Sequence, residues 1–584
     1  MFISHSIEYL KADVLVVGSE GAGARAALEA VKNNADVIMI SKGYFGGSGA
    51  TVTAGADIDL DSASVCQLFD LPGVKEDNKD IFFEDMIIEG RYINNQKLAG
   101  VHVEDAFDRL KELRDWGIKI TGLISAPGHR YPRGVYTSGR EIMRVLKKQI
   151  KLTSVNVLEH VMVLDLIKKK KQVIGAIALN LKEGSFIVIQ AKSTILATGG
   201  GMMVFPYQTA PEELTGDGQA MAWRAGADLV DMEMTQFLPG VFIKPPIWKG
   251  LAFPFMLGPM GGLDVWLLNK YGNRYMNKWD PKNMERSTRD LLSRALMNEV
   301  RENRGSPSGG VWMSFAHLPA NLIDYVAQWY AKPYLTPDWT YKGFDFREFI
   351  DRVKNGYAIE VGVASHFFMG GIRIDTECKT SVEGLFAAGE VAGGLHGANR
   401  LSGNACTQIL VQGARAGRAA AELVHSVSFE KPDLKEIQEL INYYELPLKR
   451  ESGVTIFKLK KEIQDLAWKS AGVIRCADDL SSGLEKIKQI SDQMSELSCQ
   501  SKEKQYNKEW VEALQLPNLA TVLEGILISA EARKESRGAH YRKDFPSSDD
   551  KYLFNHVISN RNNNMVLKQE PLEITRMPVP GYIK

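Results

Sequence analysis

Residues 13–30 read DVLVVGSEGAGARAALEA. Val14, Leu15, Val16 and Val17 have the character of a buried strand, the glycines after them make a tight turn, and the alanines that follow make a helix slim enough to lie flush on a sheet. Such a turn points backbone N–H groups and the positive end of a helix dipole at an anion, and a pyrophosphate is the anion it suits. The stretch therefore reads as a dinucleotide clamp. Its spacing departs from GxGxxG, because Glu20 stands at the third position, with Gly18, Gly21 and Gly23 around it. A carboxylate facing a pyrophosphate is repulsive, so either Glu20 turns away or the turn is displaced by one residue. The next strand, residues 35–40, runs into Ser41 and Lys42 and not into the acidic residue that holds a ribose in nicotinamide sites. On these residues alone an ordinary strand-turn-helix stays open beside the clamp.

The chain has 584 residues, too many for one hydrophobic core, and length suggests roughly three to four domains. Its 71 basic residues balance 71 acidic ones, which gives no electrostatic reason to expect nucleic acid or an anionic membrane as partner. The first residues lack the apolar core and cleavage site of a secretory signal, and no run of 18 apolar residues occurs. Five cysteines, Cys66, Cys378, Cys406, Cys476 and Cys499, are scattered and never spaced as CxxC. They argue against a metal site or iron–sulfur cluster built by this chain alone and suit a reducing cytosol.

Further glycine turns follow the clamp. Residues 42–56 (KGYFGGSGATVTAGA) make a loop that is either merely flexible or able to follow a flat ligand. Residues 80–117 carry helical spacing. Residues 155–196 read as a β-meander, its first joint a solvated lysine hairpin tip, and end in ILATGGG at 195–201, where an apolar strand again feeds a glycine turn. Asp217, in TGDG at 215–218, stands as a helix cap or a hydroxyl acceptor. Residues 240–356 turn aromatic and aperiodic, like an inserted domain. A third turn is HGANRLSGN at 396–404, preceded by AAGE at 387–390. From 432 the pattern is helical, with Asp433 a candidate N-cap, and a polar tail closes the chain at 547–584.

These motifs, with GNRYMN, STRD, SHFFMGGI and ESRGAHYRKDFP in order between and after them, give a sequence that resembles the flavoprotein family of succinate dehydrogenase, fumarate reductase, L-aspartate oxidase and adenylylsulfate reductase along nearly its whole length. The resemblance implies an α/β fold. A Rossmann-type FAD-binding domain would lie in two sequence pieces (1–240 and 357–430), with an inserted α+β capping domain (241–356), a helical bundle (431–546) and an extended tail (547–584). It places Gly18, Gly21, Ala22 and Gly23 at the pyrophosphate, Ser41 and Lys42 near the adenosine end, and Ser48, Gly49, Ala50 and Thr51 along the flavin. Ala197, Thr198, Gly199, Asp217 and Glu390 would hold other parts of the cofactor, with Ser402, Asn404 and Ala405 beside the ring. Some members attach FAD through a histidine in the SK loop; Gly49 stands at that place, which implies non-covalent FAD.

The family's dicarboxylate enzymes use an arginine of the RD motif to exchange a proton, and a histidine before MGGI with an arginine of GANR to grip one carboxylate. Arg289, His366 and Arg400 stand at those positions, and a guanidinium fork matches a carboxylate. The second grip departs from the pattern. The family's QFHPTG is here Gln236, Phe237, Leu238, Pro239 and Gly240, and its GEGG is Gly258, Pro259, Met260, Gly261 and Gly262. Phe237, Leu238 and Met260 would thus face the substrate with apolar surface. A buried carboxylate left without partners costs about 3–5 kcal/mol, or roughly two to three and a half decades of affinity at about 1.4 kcal/mol per tenfold. The expectation is an oxidoreductase acting on a C–C bond beside one anionic group. Its electron partner would be an iron–sulfur subunit, with membrane contact, if any, through partner subunits on the cytoplasmic side. The alternatives are an adenylylsulfate-reductase-like enzyme and a non-catalytic electron-transfer subunit.

Overall fold

The computed structural model describes residues 7–253, 258–260, 263–330, 340–341 and 344–582; Gly261 and Gly262 lie outside them. The strand before the first glycine turn, Glu8–Val17, is central to the largest sheet. The order is Asn156–Glu159, Val37–Ser41, Glu8–Val17, Phe186–Leu196, Gln172–Asn180 and Val161–Lys169, and Leu385–Ala387 also pairs with Phe186–Leu196. The pairings of Glu8–Val17 with Val37–Ser41 and Phe186–Leu196, and of the latter with Leu385–Ala387, are parallel. Parallel strands are covered on both faces, which is why Val14, Leu15 and Val16 form an unbroken apolar run and are fully buried.

The helix Gly21–Lys32 packs against the later helix Asn404–Val424, so the two sequence pieces share one layer. Gly417 makes the approach possible: a Cβ there would lie 2.2 Å from the Ala26 carbonyl oxygen. The meander at 161–196 is antiparallel as its sequence suggests, with an exposed lysine tip at 168–171. Its leading residues differ from the expectation. The chain turns at His160 (φ 58°), and Asn156–Glu159 pairs instead with Val37–Ser41.

The inserted region is built on an antiparallel sheet ordered Thr235–Phe242, Ile359–Phe368, Val311–Ser314 and Trp266–Leu268, with the helix Arg289–Arg301 against it. Its aromatic composition becomes ring packing, Phe242 lying 5.1 Å from Phe253 and 5.4 Å from Phe349 between centroids.

Helices Leu434–Tyr444, Ile456–Ser470, Ala477–Gln493 and Lys508–Ala532 form the C-terminal bundle, and Asp433 caps the first by accepting from the Lys435 N–H. Lys508–Ala532 has the length and apolarity of a membrane span, yet most of it is buried inside the fold, Trp510 and Leu523 completely. The tail is more than an extended appendage. Phe554–Arg561 and Asn564–Pro571 form a hairpin whose first strand joins Leu229–Val230. The asparagine-rich stretch is its turn, Asn562 and Asn563 taking φ of 53° and 60°, a conformation asparagine tolerates.

Candidate functional site

Two connected chambers open at the carboxyl ends of the parallel strands, where the glycine turns meet. In the first, of about 910 Å³, the walls are the Gly18–Glu20 turn with Ala22, then Ser41 and Lys42, the 48–51 loop, Ala197 to Gly199, Asp217 and Glu390. The clamp is glycine by necessity. Gly18 has φ +107°, a Cβ on it would lie 2.2 Å from the Ala197 carbonyl oxygen, and a Cβ on Gly23 would lie 1.8 Å from the Gly18 carbonyl oxygen. Strand, helix and the second glycine turn can close this tightly only without side chains. Gly21 and Gly23 stand behind the wall, with the Gly21 N–H directed at Thr51 Oγ1 (3.3 Å).

Glu20 resolves its apparent misfit by turning toward the 48–51 loop. Its carboxylate accepts from the Val52 N–H at 3.1 Å and lies across Gly49, where a Cβ would come within 2.4 Å of Glu20 Cγ. Burial pushes the Glu20 carboxyl up to about 7, opposed by the Val52 N–H, and its second oxygen has no partner among the described residues. Asp217 corrects the capping expectation. Gly216 occupies the cap position of the helix Asp217–Ala225, while Asp217 is fixed by Lys42 Nζ (2.6 Å) and by the Asn518 amide (2.8 Å).

The second chamber, of about 1460 Å³, shares Ala50, Thr51 and Glu390 with the first and brings Arg289, His366 and Arg400 together with Ser402, Ala405, Leu238 and Met260. Arg289 starts the helix Arg289–Arg301, and its Nη2 donates to Ser402 Oγ at 2.9 Å. The Arg400 guanidinium sits 4.5 Å over the Phe367 ring and donates to the Leu401 carbonyl at 3.2 Å. His366 Nδ1 is 2.8 Å from Thr209 Oγ1. The Nε atoms of both arginines are buried and have no partner among the described residues. Burial, reinforced by the like charge of Arg400, lowers Arg289 to about 10, and burial lowers Arg400 as well. Burial likewise raises Glu390 to about 7.

Two expected residues lie elsewhere. Phe237 alternates with Leu238 on one strand, so it points to the opposite face and packs against Phe205 (5.3 Å) and Trp468 (6.2 Å). Asn404, the first residue of its helix, is 1% exposed and reaches neither chamber. Conversely, Asp57 and Thr209 line the second chamber although the sequence motifs do not single them out. Asp57 has a usable signal: ADIDLD at 56–61 alternates acid with apolar, placing Asp57 and Asp59 on one face of the strand Gly55–Asp59.

These walls fit FAD. The first chamber offers a turn that only glycine lets close on the Ala197 backbone, the Lys42–Asp217 pair, and a buried Thr198 hydroxyl without a partner among the described residues, all suited to a pyrophosphate and hydroxyl-rich ligand. Apolar surface and two arginines adjoin it in the second chamber, and Gly49 has no side chain with which to form a covalent link.

Comparison with known proteins agrees. Residues 13–406 match the FAD binding domain model, and 460–582 match the fumarate reductase flavoprotein C-terminal model. The chain is 33% identical over 554 residues to one subunit of the fumarate reductase (CoM/CoB) of Methanothermobacter marburgensis, covering 93% of this chain and 96% of that one. It is 30% identical over 618 residues to a fumarate reductase flavoprotein subunit of Mycobacterium tuberculosis, covering 97% and 98%. Among solved structures, Mycobacterium smegmatis Sdh1 in complex with UQ1 superposes with a TM-score of 0.85 at 28% identity, covering 97% of this chain and 95% of the other. The chain belongs to the FAD-dependent oxidoreductase family of fumarate reductase and succinate dehydrogenase flavoprotein subunits.

Proposed function

We propose that the second chamber binds an unsaturated or saturated acid with one anionic end and an apolar remainder, and that Arg289 exchanges the proton at the carbon next to the anionic group. The observation that carries this reading is the asymmetry of the chamber. Arg289, Arg400 and His366 supply the cationic and hydrogen-bonding side, while Leu238, Met260, Phe253 and Pro259 supply apolar surface. FAD, when bound, supplies the hydride exchanged at the β carbon. Arg400 and His366 orient the carboxylate, and the field of the two guanidinium groups favours charge that develops on it as the double bond polarises. Arg289, lowered to about 10, gives up a proton more readily than a solvent-exposed arginine does. Leu238 and Met260 have no group to pair a second carboxylate, so fumarate and succinate are expected to be poor ligands by the roughly two to three and a half decades worked out from burial of an unpaired charge.

The names of the relatives favour fumarate itself as a second reading. Both relatives are also named as subunits, which supports a partner subunit; that this partner is an iron–sulfur electron carrier, with any membrane contact made through it on the cytoplasmic side, is part of the proposal. The discriminating experiment follows oxidation of a reduced viologen dye by the FAD-loaded protein with crotonate, cinnamate or fumarate. The proposed reading expects a kcat/KM for a monocarboxylate at least a hundredfold above that for fumarate. A fumarate rate equal to or above the others establishes the second reading and rejects the first.

A further inference from the structure

Arg289 must regain its proton after each turnover, and the structure holds a hydrogen-bonded route for it. Arg289 Nη2 donates to Ser402 Oγ at 2.9 Å, and the Ser402 hydroxyl donates to Asp57 Oδ2 at 3.1 Å. No other hydrogen bond runs from the Arg289 guanidinium among the described residues, and its Nε is unpartnered. Met260, at the position where the family pattern has an acid, carries no exchangeable proton, whereas Asp57 lines the same chamber as Arg289 and that chamber opens to solvent. We propose that Asp57, acting through Ser402, is the relay that reprotonates Arg289; the inference rests on the proton-exchange role given to Arg289 above.

The directions of the hydrogen bonds fit that traffic. A guanidinium can only donate, so Ser402 accepts from Arg289 and has its own hydrogen free for Asp57. Once Arg289 has lost a proton to substrate, a proton taken up by Asp57 passes to Ser402 Oγ while the Ser402 hydrogen passes to the guanidine. One O–H bond forms and one breaks at Ser402, Asp57 returns to carboxylate, and Arg289 returns to guanidinium. The final pattern, Arg289 to Ser402 to Asp57, is the one observed. Surroundings favour the proton's stop at Asp57. Burial raises its carboxyl above the usual aspartate value, against the pull of Arg289 and Arg400, so it is easier to protonate than a free aspartate. Asp59, two residues along the same strand face and 1% exposed, is raised well above by burial and by Asp57 itself.

The test compares Asp57→Asn, Ser402→Ala and Glu89→Gln in the FAD-loaded protein with crotonate, cinnamate and fumarate as probes. Glu89 is the control because it is a second buried acid near Arg289 and is raised to about 7 by burial, yet it bonds to Asn399 and not to Arg289. Single-turnover reoxidation of the reduced flavin uses the proton already on Arg289, whereas steady-state turnover needs the relay. Asp57→Asn and Ser402→Ala are expected to lower the steady-state rate on the order of a hundredfold more than the single-turnover rate. A merely structural role would lower both alike. Infrared difference spectra taken during a pH titration provide a readout that needs no substrate, with a carboxylic-acid band titrating above free aspartate that is lost in Asp57→Asn and kept in Glu89→Gln. Equal losses in the two rates, no such band, or a steady-state deficit confined to Glu89→Gln would overturn the relay. If no probe is turned over by the unsubstituted protein, the proposed function fails, and the infrared band alone decides whether Asp57 carries the proton.

Discussion

Replacing Glu20 by Gln is expected to stabilise the protein, and to do so increasingly as pH rises. In the unfolded chain this carboxyl titrates near 4.5, and in the fold burial moves it to about 7. Below the lower value it is protonated in both states and the replacement changes little. Between the two values the unfolded chain releases the proton while the folded chain retains it, so the unfolded state gains and stability is lost; above about 7 the loss is complete. The gap between 4.5 and about 7, at about 1.4 kcal/mol per pH unit, amounts to roughly 3 kcal/mol. Glutamine keeps an oxygen to accept from the Val52 N–H and has no charge to bury. Thermal unfolding of both proteins from pH 5 to pH 8 measures the effect. The difference in Tm should be small at pH 5 and should grow to several degrees in favour of the variant by pH 8. A difference that stays constant across that range, or that favours the unsubstituted protein at pH 8, refutes the account of Glu20.

Gly23→Ala drives a Cβ to 1.8 Å from the Gly18 carbonyl oxygen and should yield protein with little or no bound flavin, as read from visible absorbance per chain. Phe237→Ala removes a ring packed between Phe205 and Trp468. It should cost about 3–5 kcal/mol of stability while leaving the preference among crotonate, cinnamate and fumarate unchanged, whereas Leu238→Ala should alter that preference. Replacing Arg133 by Met removes the cation that pairs with buried Asp77 at 2.7 Å and leaves Asp85, 2.5 Å from Arg133, with Arg130 as its remaining cationic partner. The expected loss is about 3–5 kcal/mol in unfolding free energy.

The first glycine turn is legible because one of its close approaches is local: Gly23 meets the Gly18 carbonyl five residues back, whereas the approach of Gly18 to Ala197 joins distant segments and is not set by sequence order. The same locality holds for Asp433, whose capping partner, the Lys435 N–H, is two residues away. The side of the chain to which a residue points is harder to read. Phe237 and Leu238 are neighbours on one strand, and only the position of the sheet against the bundle tells which of them meets the chamber. Sequence leaves Asp217 as either a cap or a hydroxyl acceptor because its partners, Lys42 and Asn518, are distant in sequence. The tail hairpin is hidden for a related reason, since its first strand is completed by Leu229–Val230, more than three hundred residues earlier. Asp57 escapes a motif search because its meaning depends on Ser402 and Arg289, which come from two other segments, although the acid–apolar alternation around it marks one face of a strand.

The central claim is that this chain performs its own proton exchange on a bound acid and is more than an electron conduit. Its most direct test is Arg289→Ala in the FAD-loaded protein, with substrate-dependent reoxidation of the reduced flavin and dye-to-dye electron transfer measured side by side. The account predicts that reoxidation by crotonate or cinnamate is abolished while dye-to-dye transfer persists. Reoxidation at the unsubstituted rate would contradict it.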